Sequence, residues 1–145
     1  MGESMVYRTK IKVRFGDIDH AGIMYYPRLF HKFHIAFEEF FEECVGVPYD
    51  RILNEDRIGF ATVQVETEFR KPMSYGDVLE IAMESRRVRN TSVTFGFTVY
   101  RAGTPEVCAR SEHTVVCVDM DTFRPTAIPS RCRDAFEAIA APVGD

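Results

Sequence analysis

At 145 residues the chain is long enough for one domain that buries roughly two thirds of its unfolded surface. Its 46% hydrophobic and 28% charged residues fit a soluble globular chain rather than a disordered or membrane one. A net charge of −4 argues against a nucleic-acid surface, which needs a strongly basic face, but leaves room for a small anionic substrate held by locally grouped arginines.

The opening MGESMVYRTKIKVRF has no apolar run of signal-peptide length and reads as a polar tail entering a strand. Its MG start lacks the Ser/Thr of a myristoylation motif. No later stretch approaches the ~18 to 20 apolar residues of a membrane span. Residues 6–15 alternate as a strand, with Tyr7, Ile11, Val13 and Phe15 apolar. FGDIDHAGIMYYP, residues 15–27, then sets two aspartates and a histidine directly before a greasy helical pattern. From Pro27 to Cys44 apolar residues recur at steps of three and four, through Phe30, Phe33, Phe37, Phe40 or Phe41, and Cys44. Proline suits the first turn because the amide it lacks would be unpaired there anyway. Gly46 and Pro48 end the helix, and residues 49–56 suggest a further short helical turn.

From Ile58 to about Asp121 the chain reads as strand. Val63, Val65, Thr67 and Phe69 alternate with Gln64, Glu66, Glu68 and Arg70, the pattern of a half-buried strand. YGDVLEIAMESRRV follows a turn at Ser74 to Gly76. Val93, Phe95, Phe97 and Val99 mark the next strand, RAGTPE turns it, and VCARSEHTVVCVDM is the last long one. Residues 130–140 form a short amphipathic helix with Ser130 as its expected cap. Four consecutive strands joined by short turns make an antiparallel sheet with one apolar face, and the economical arrangement wraps that face around the long helix.

Cys44, Cys108, Cys117 and Cys132 form no C-x-x-C pair and read as reduced packing residues, with the cytoplasm as the default compartment. His31, His34 and Glu38 share one helix face, so a metal site is conceivable. It lacks a fourth ligand and the H-E-x-x-H order, and a polar helix face is the simpler reading, so no metal is expected.

DIDHAGIMYYPRLF resembles the D-x-D-x-x-G-x-x-x-Y signature of hotdog-fold acyl-CoA thioesterases of the 4-hydroxybenzoyl-CoA thioesterase type, and RKPMSYGDVLEI is similar to that family's second landmark. The likeness extends over almost the whole chain in length, element order and turn positions. It implies an α+β hotdog fold, a five-stranded antiparallel sheet wrapped around a long central helix, as a single domain over residues 1–145. It implies a homo-oligomer, a dimer paired edge to edge or a homotetramer, and an acyl-CoA hydrolase without a cofactor.

The resemblance assigns the catalytic carboxylate to Asp19 and the polarising donor to the backbone amide of Tyr26, with Gly22 allowing close approach of main chain to ligand. Such chemistry needs a nucleophile or activated water on one side of a thioester carbonyl and donors for the developing oxyanion on the other. The first amides of a helix supply those donors with a favourable dipole. Asp17 is expected to hold the loop. His20 departs from the family, and exposure is its simplest reading. Coenzyme A phosphates would call on the basic run SRRVRN. The family's basic triplet starts at the position of Arg89, where only that charge is retained before Asn90 and Thr91, and Ser92 lies beside it. Arg86 and Arg87 read as solvated strand residues. Phe33, Phe37 and Phe60 are candidate acyl-pocket residues, for an aryl or a short aliphatic acyl group. Asp19 could attack directly or activate water.

Two alternatives keep the fold. A hydratase would pair an aspartate with a histidine about five residues later, which neither Asp17 nor Asp19 has. A non-catalytic acyl-CoA-binding hotdog domain keeps the pocket without the chemistry; such domains usually carry a DNA-binding segment, for which the pattern shows no room. An Asp19 in place favours the enzyme.

Overall fold

A computed structural model describes residues 6–141. The first five residues, where the expected polar tail begins and a myristoylation motif is discounted, lie outside that range. Strand β1 (Tyr7–Lys12) leads through a short 3-10 turn to helix α1 (Tyr26–Phe40), followed by helix α2 (Tyr49–Asn54), strands β2 (Ile58–Phe69), β3 (Val78–Val88), β4 (Ser92–Arg101) and β5 (Val107–Asp119), and helix α3 (Ser130–Ala138). The five strands form one antiparallel sheet in the order β1-β3-β4-β5-β2. The expected architecture of a sheet curled around a long helix is present.

Alternation explains the layering. Odd-numbered residues Leu79, Ile81, Met83, Val93, Phe95, Phe97, Val99 and Cys117 are buried beneath α1. The helix answers with Leu29, Phe33, Ala36, Phe37 and Phe40. Phe33 stacks on Phe97 with ring centroids 4.7 Å apart, and Phe40 stacks on Phe136 of α3 at 5.9 Å. Truncating such a buried phenylalanine typically costs about 3–5 kcal/mol.

Several expectations are corrected. Helix α1 begins at Tyr26, one residue before the proline, and its last turn widens into a π-turn over Phe41–Val45. That extra residue buries both Phe40 and Phe41 and turns Cys44 to the surface, off the apolar stripe. Phe15 lies past the end of β1 and is exposed. The cap of α3 is Pro129, and Ser130 is its first helical residue without a side-chain capping bond.

The largest difference concerns β2. Val63, Val65 and Phe69 are 62%, 42% and 46% exposed, so the strand read as half-buried shows its apolar side to solvent. The cause is position: β2 is the outer strand beyond β5, and α1 stands off it across an open cavity that Val65 borders. A bulge between Thr62 and Gln64 also interrupts its alternation. Among the described residues no helix is long and apolar enough to cross a membrane.

Candidate active site

The Asp-rich segment folds as a tight hairpin between β1 and α1. Ile18 bridges Met24, and Ile23 bridges Ser74 of the turn before β3. Gly22 closes the hairpin at φ 81°, a left-handed conformation that side chains rarely adopt, and its amide donates to the Asp19 carbonyl at 3.0 Å. The Asp19 side chain is exposed, and its Oδ1 accepts the Ala21 amide at 2.9 Å. That bond fixes one carboxylate oxygen by a local turn and leaves the other toward solvent. His20, next along, is exposed as well.

Asp17 has the opposite environment. It is buried, and its Oδ2 accepts the Arg14 amide at 2.8 Å and meets Lys32 Nζ at 2.9 Å. Burial pushes its acidity down, but the Arg14 amide and the Lys32 ammonium outweigh this and hold the carboxyl below the usual carboxylate range. Lys32 lies on α1, so the pair ties hairpin to helix. The Asp17 carbonyl also accepts the Tyr25 amide at 2.8 Å, which sets where the helix begins.

That helix start carries no side-chain cap. Arg28 donates back to Tyr25 at 2.8 Å, and Pro27 has no amide hydrogen. The Tyr26 amide is therefore left at the positive end of α1 without an intrahelical acceptor. It borders a cleft of about 400 Å³ walled by Ile23, Met24, Tyr26 and the Phe69–Met73 segment. Asp19 and Gly22 lie on the hairpin whose Ile23 and Met24 wall this cleft with Tyr26, the Asp19 amide donating to the Ile23 carbonyl at 2.9 Å.

A second, apolar cavity of about 230 Å³ opens between α1 and the sheet. Phe33, Phe37 and Phe60 all line it, joined by Phe30, Val65 and His113. The rings of Tyr26 and Phe30 stand 6.4 Å apart, so the aromatic wall runs from the helix start into this cavity over about one turn of ~5.4 Å.

Arg89 and Ser92 do not join this group within one chain. They close the β3–β4 turn, where the Arg89 amide donates to the Ser92 carbonyl at 2.8 Å. The hairpin bridges Ser74, just before the start of β3, while Arg89 follows its end. With about 3.3 Å per residue the two lie at opposite ends of an 11-residue strand, roughly 35 Å apart. Arg89 instead lines a polar groove of about 310 Å³ on the outer sheet face with Gln64, Glu66, Arg86 and Glu112. Arg86 lies across Gly96 and pairs with Glu84 at 3.1 Å.

On the helix, His34 Nε2 pairs with Glu38 Oε2 at 3.1 Å, and no group of three metal-binding side chains gathers among the described residues. Two features escaped the sequence reading. Lys32 sits on the polar-looking side of an aromatic stripe, and nothing local marks it as the partner of Asp17. His113 was legible in principle: it falls between Ser111 and Val115 in the inward phase of β5, where alternation points it at the helix.

The family model described as the thioesterase-like superfamily matches residues 13–136. The chain is 25% identical over 136 residues to a 1,4-dihydroxy-2-naphthoyl-CoA hydrolase of Synechococcus elongatus, covering 92% of this chain and 97% of that protein. It is 28% identical over 127 residues to the acyl-CoA thioester hydrolase YbgC of Escherichia coli, covering 86% and 90%. The crystal structure of a 1,4-dihydroxy-2-naphthoyl-CoA thioesterase from Synechocystis superposes with a TM-score of 0.85 at 17% identity, covering 95% of this chain and all 100% of that one. The sheet, its strand order and the enclosed helix are those of the hotdog fold.

Proposed function

The chain belongs to the thioesterase-like superfamily, and from that premise we propose that it hydrolyses an acyl-CoA thioester to the free acid and coenzyme A, with Asp19 as the reacting carboxylate. The observation that carries this reading is an exposed, locally anchored Asp19 on the hairpin that leads into an uncapped helix start at Tyr26, with Ile23, Met24 and Tyr26 walling one cleft.

The thioester carbonyl oxygen would receive the Tyr26 amide and the dipole of α1 as negative charge develops on it. The free oxygen of Asp19 then has two uses. It can take a proton from water while that oxygen attacks the carbonyl carbon; the tetrahedral adduct collapses by breaking the C–S bond, and the thiolate takes up the proton. Alternatively it attacks the carbon itself, expelling the thiolate and forming a mixed anhydride that water cleaves. Single turnover in labelled water tests the second path: label in the Asp19 carboxylate arises only when water attacks the Asp19 carbonyl carbon of the anhydride, and water attacking the acyl carbon labels only the product acid.

Acyl groups that fit the Phe30–Phe60 cavity are aryl or short-chain. The naphthoyl-CoA relatives favour aryl, and YbgC, named only as an acyl-CoA thioester hydrolase, leaves both in play. A further part of the proposal is a homo-oligomer. The β2 edge is long and exposes apolar residues, a surface that pairing with a second copy would cover. Antiparallel pairing of two β2 edges reverses one sheet against the other. It therefore carries the Arg89 end of one protomer alongside the Asp19 end of its partner, which is how phosphate contacts and catalytic loop would meet in one site.

The test is coenzyme A release from a panel of aryl- and aliphatic-CoA thioesters. Turnover of at least one well above the hydrolysis rate in buffer supports the reading. Tight acyl-CoA binding without turnover would instead favour a non-catalytic acyl-CoA-binding domain.

A further inference from the structure

Three polar residues line the apolar cavity, His34, Thr62 and His113, and none is used by the chemistry above; His34 is paired with Glu38, whereas His113 has a buried nitrogen without a partner. His113 sits on the inner face of β5, opposite Val65 of β2 and Phe95 of β4. Its ring meets Phe97, Phe33 and Phe30 edge-on, with centroids 5.0, 5.1 and 6.4 Å away. Its Nε2 is buried and has no hydrogen-bond partner. Ser111, two residues earlier on the same face, shows what a satisfied position looks like here: its hydroxyl lies 2.8 Å from the Thr67 hydroxyl.

An unpaired nitrogen in an aromatic nest is a cost that leucine or phenylalanine at this position would avoid, since removing a polar group from water without a replacement bond is unfavourable. Burial also lowers the pKa of His113 to about 4, so the imidazole is neutral near pH 7. A neutral imidazole offers one donor and one acceptor. The ring torsion beyond Cβ has broad, roughly two-fold preferences, so a modest rotation suffices to present the nitrogen to the cavity.

We infer that His113 is the specificity-determining residue of the acyl pocket and selects an acyl group bearing a hydroxyl on its ring, which bonds the otherwise unpaired imidazole nitrogen. This rests on the acyl-CoA hydrolase reading for its physiological substrate. A hydroxyl is the fitting partner because it can donate or accept and so matches either tautomer. An aliphatic acyl tail would fill the phenylalanine walls and leave the nitrogen unpaired. The position agrees with the route from Tyr26, since Phe30 touches both the Tyr26 ring and the His113 ring. A ring conjugated to the thioester would lie along that wall, its far substituent toward β5.

The experiment has a binding arm and a kinetic arm. Calorimetry compares benzoic acid with its 3- and 4-hydroxy derivatives on wild-type protein, His113→Phe, His113→Leu and His113→Gln; kcat/KM is measured for the corresponding CoA thioesters. In wild type, one hydroxylated member is favoured over the unsubstituted one by about tenfold or more, and the apolar replacements reduce that ratio to near one. His113→Gln, which keeps a donor and an acceptor, retains part of it. His113→Leu supplies the apolar arm should the larger ring disturb folding. An unchanged hydroxyl preference in a folded apolar variant overturns the inference, as does a wild-type protein that binds all three acids alike. Discrimination among acids that depends on His113, without turnover of any thioester, leaves the inference standing and removes the hydrolase reading. Turnover without hydroxyl discrimination does the reverse.

Discussion

Lys32 Nζ lies 2.9 Å from Asp17 Oδ2, with the two side chains 8% and 9% exposed, and this buried ion pair is the bolt between the Asp-rich hairpin and the central helix. Its energetic character differs from that of the exposed pairs on the sheet. Removing one partner strands a charge in a low-dielectric site, which typically costs about 3–5 kcal/mol, whereas replacing both can be nearly neutral.

Lys32→Met is therefore expected to lower stability by about 3 kcal/mol, and Lys32→Met with Asp17→Asn by clearly less than the sum of the single changes. Urea denaturation of the four proteins in the cycle checks this. Additive losses would mean that the two groups do not interact as the geometry indicates.

Asp19→Asn keeps the size and the turn bond to Ala21 but removes the charge and the reactive oxygen. We expect kcat on the best acyl-CoA to fall by about 100-fold or more, with Tm unchanged. Asp17→Asn should show the opposite profile, losing stability more than turnover. A folded, inactive Asp17→Asn beside an active Asp19→Asn would exchange the two roles.

Arg89→Ala is expected to raise KM several-fold and leave kcat nearly as it was, the mark of an interaction equal in ground and transition states. Increasing salt should weaken substrate affinity only modestly, since an exposed ion pair is worth under about 1 kcal/mol. A large fall in kcat at constant KM would place Arg89 in the chemistry.

Stability should fall in two separate acid windows. Unfolded His113 titrates near 6.5 and folded His113 near 4, so the unfolded state holds the extra proton between those values. Stability accordingly rises with pH across that window and is lost as pH drops from about 6.5 toward 4. Asp17, whose folded carboxyl is held below its ordinary 3.8, contributes stability that is present above that pH and lost as pH falls further, through its lowered value. Tm against pH for His113→Gln should lose the upper slope and keep the lower one. His34 and Glu38 remain in that variant, so the difference between the two curves isolates His113.

Light scattering at micromolar concentration should give at least twice the 16.6 kDa chain mass. Val63→Lys, which places a charge on the apolar side of the β2 edge, should shift the equilibrium toward monomer. A wild-type monomer would remove both the pairing and the shared site.

The helix and the strand order could be read from periodicity because burial imposes it: the phenylalanine steps from Phe30 to Phe40 and the alternation from Val93 to Val99 are one apolar interface seen from two sides. The hairpin carrying Asp19 was legible because a left-handed glycine and an uncapped helix start leave marks in the local sequence. What escaped depended on long-range geometry. Val63, Val65 and Phe69 alternate like an inner strand, and only the placement of β2 at the sheet edge decides that they stay exposed. The partner of Asp17 lies fifteen positions on, and no local pattern connects the two. The separation of Arg89 from Asp19 follows from the length of β3, and the join that a dimer would make follows from symmetry, which one chain does not encode locally.

The strand order also sets a schedule for assembly. β3, β4 and β5 are sequence neighbours and pair consecutively, but β2, made before all three, pairs only with β5, the last strand to be synthesised. At roughly 5–20 residues per second β2 waits several seconds on the ribosome before its mate exists. During that interval both of its edges and the Val63–Phe69 surface are open to other chains. The strand left open longest during synthesis is thus the one with the most exposed apolar surface, so misassembly of newly made chains should run through β2 and rise with the rate of synthesis.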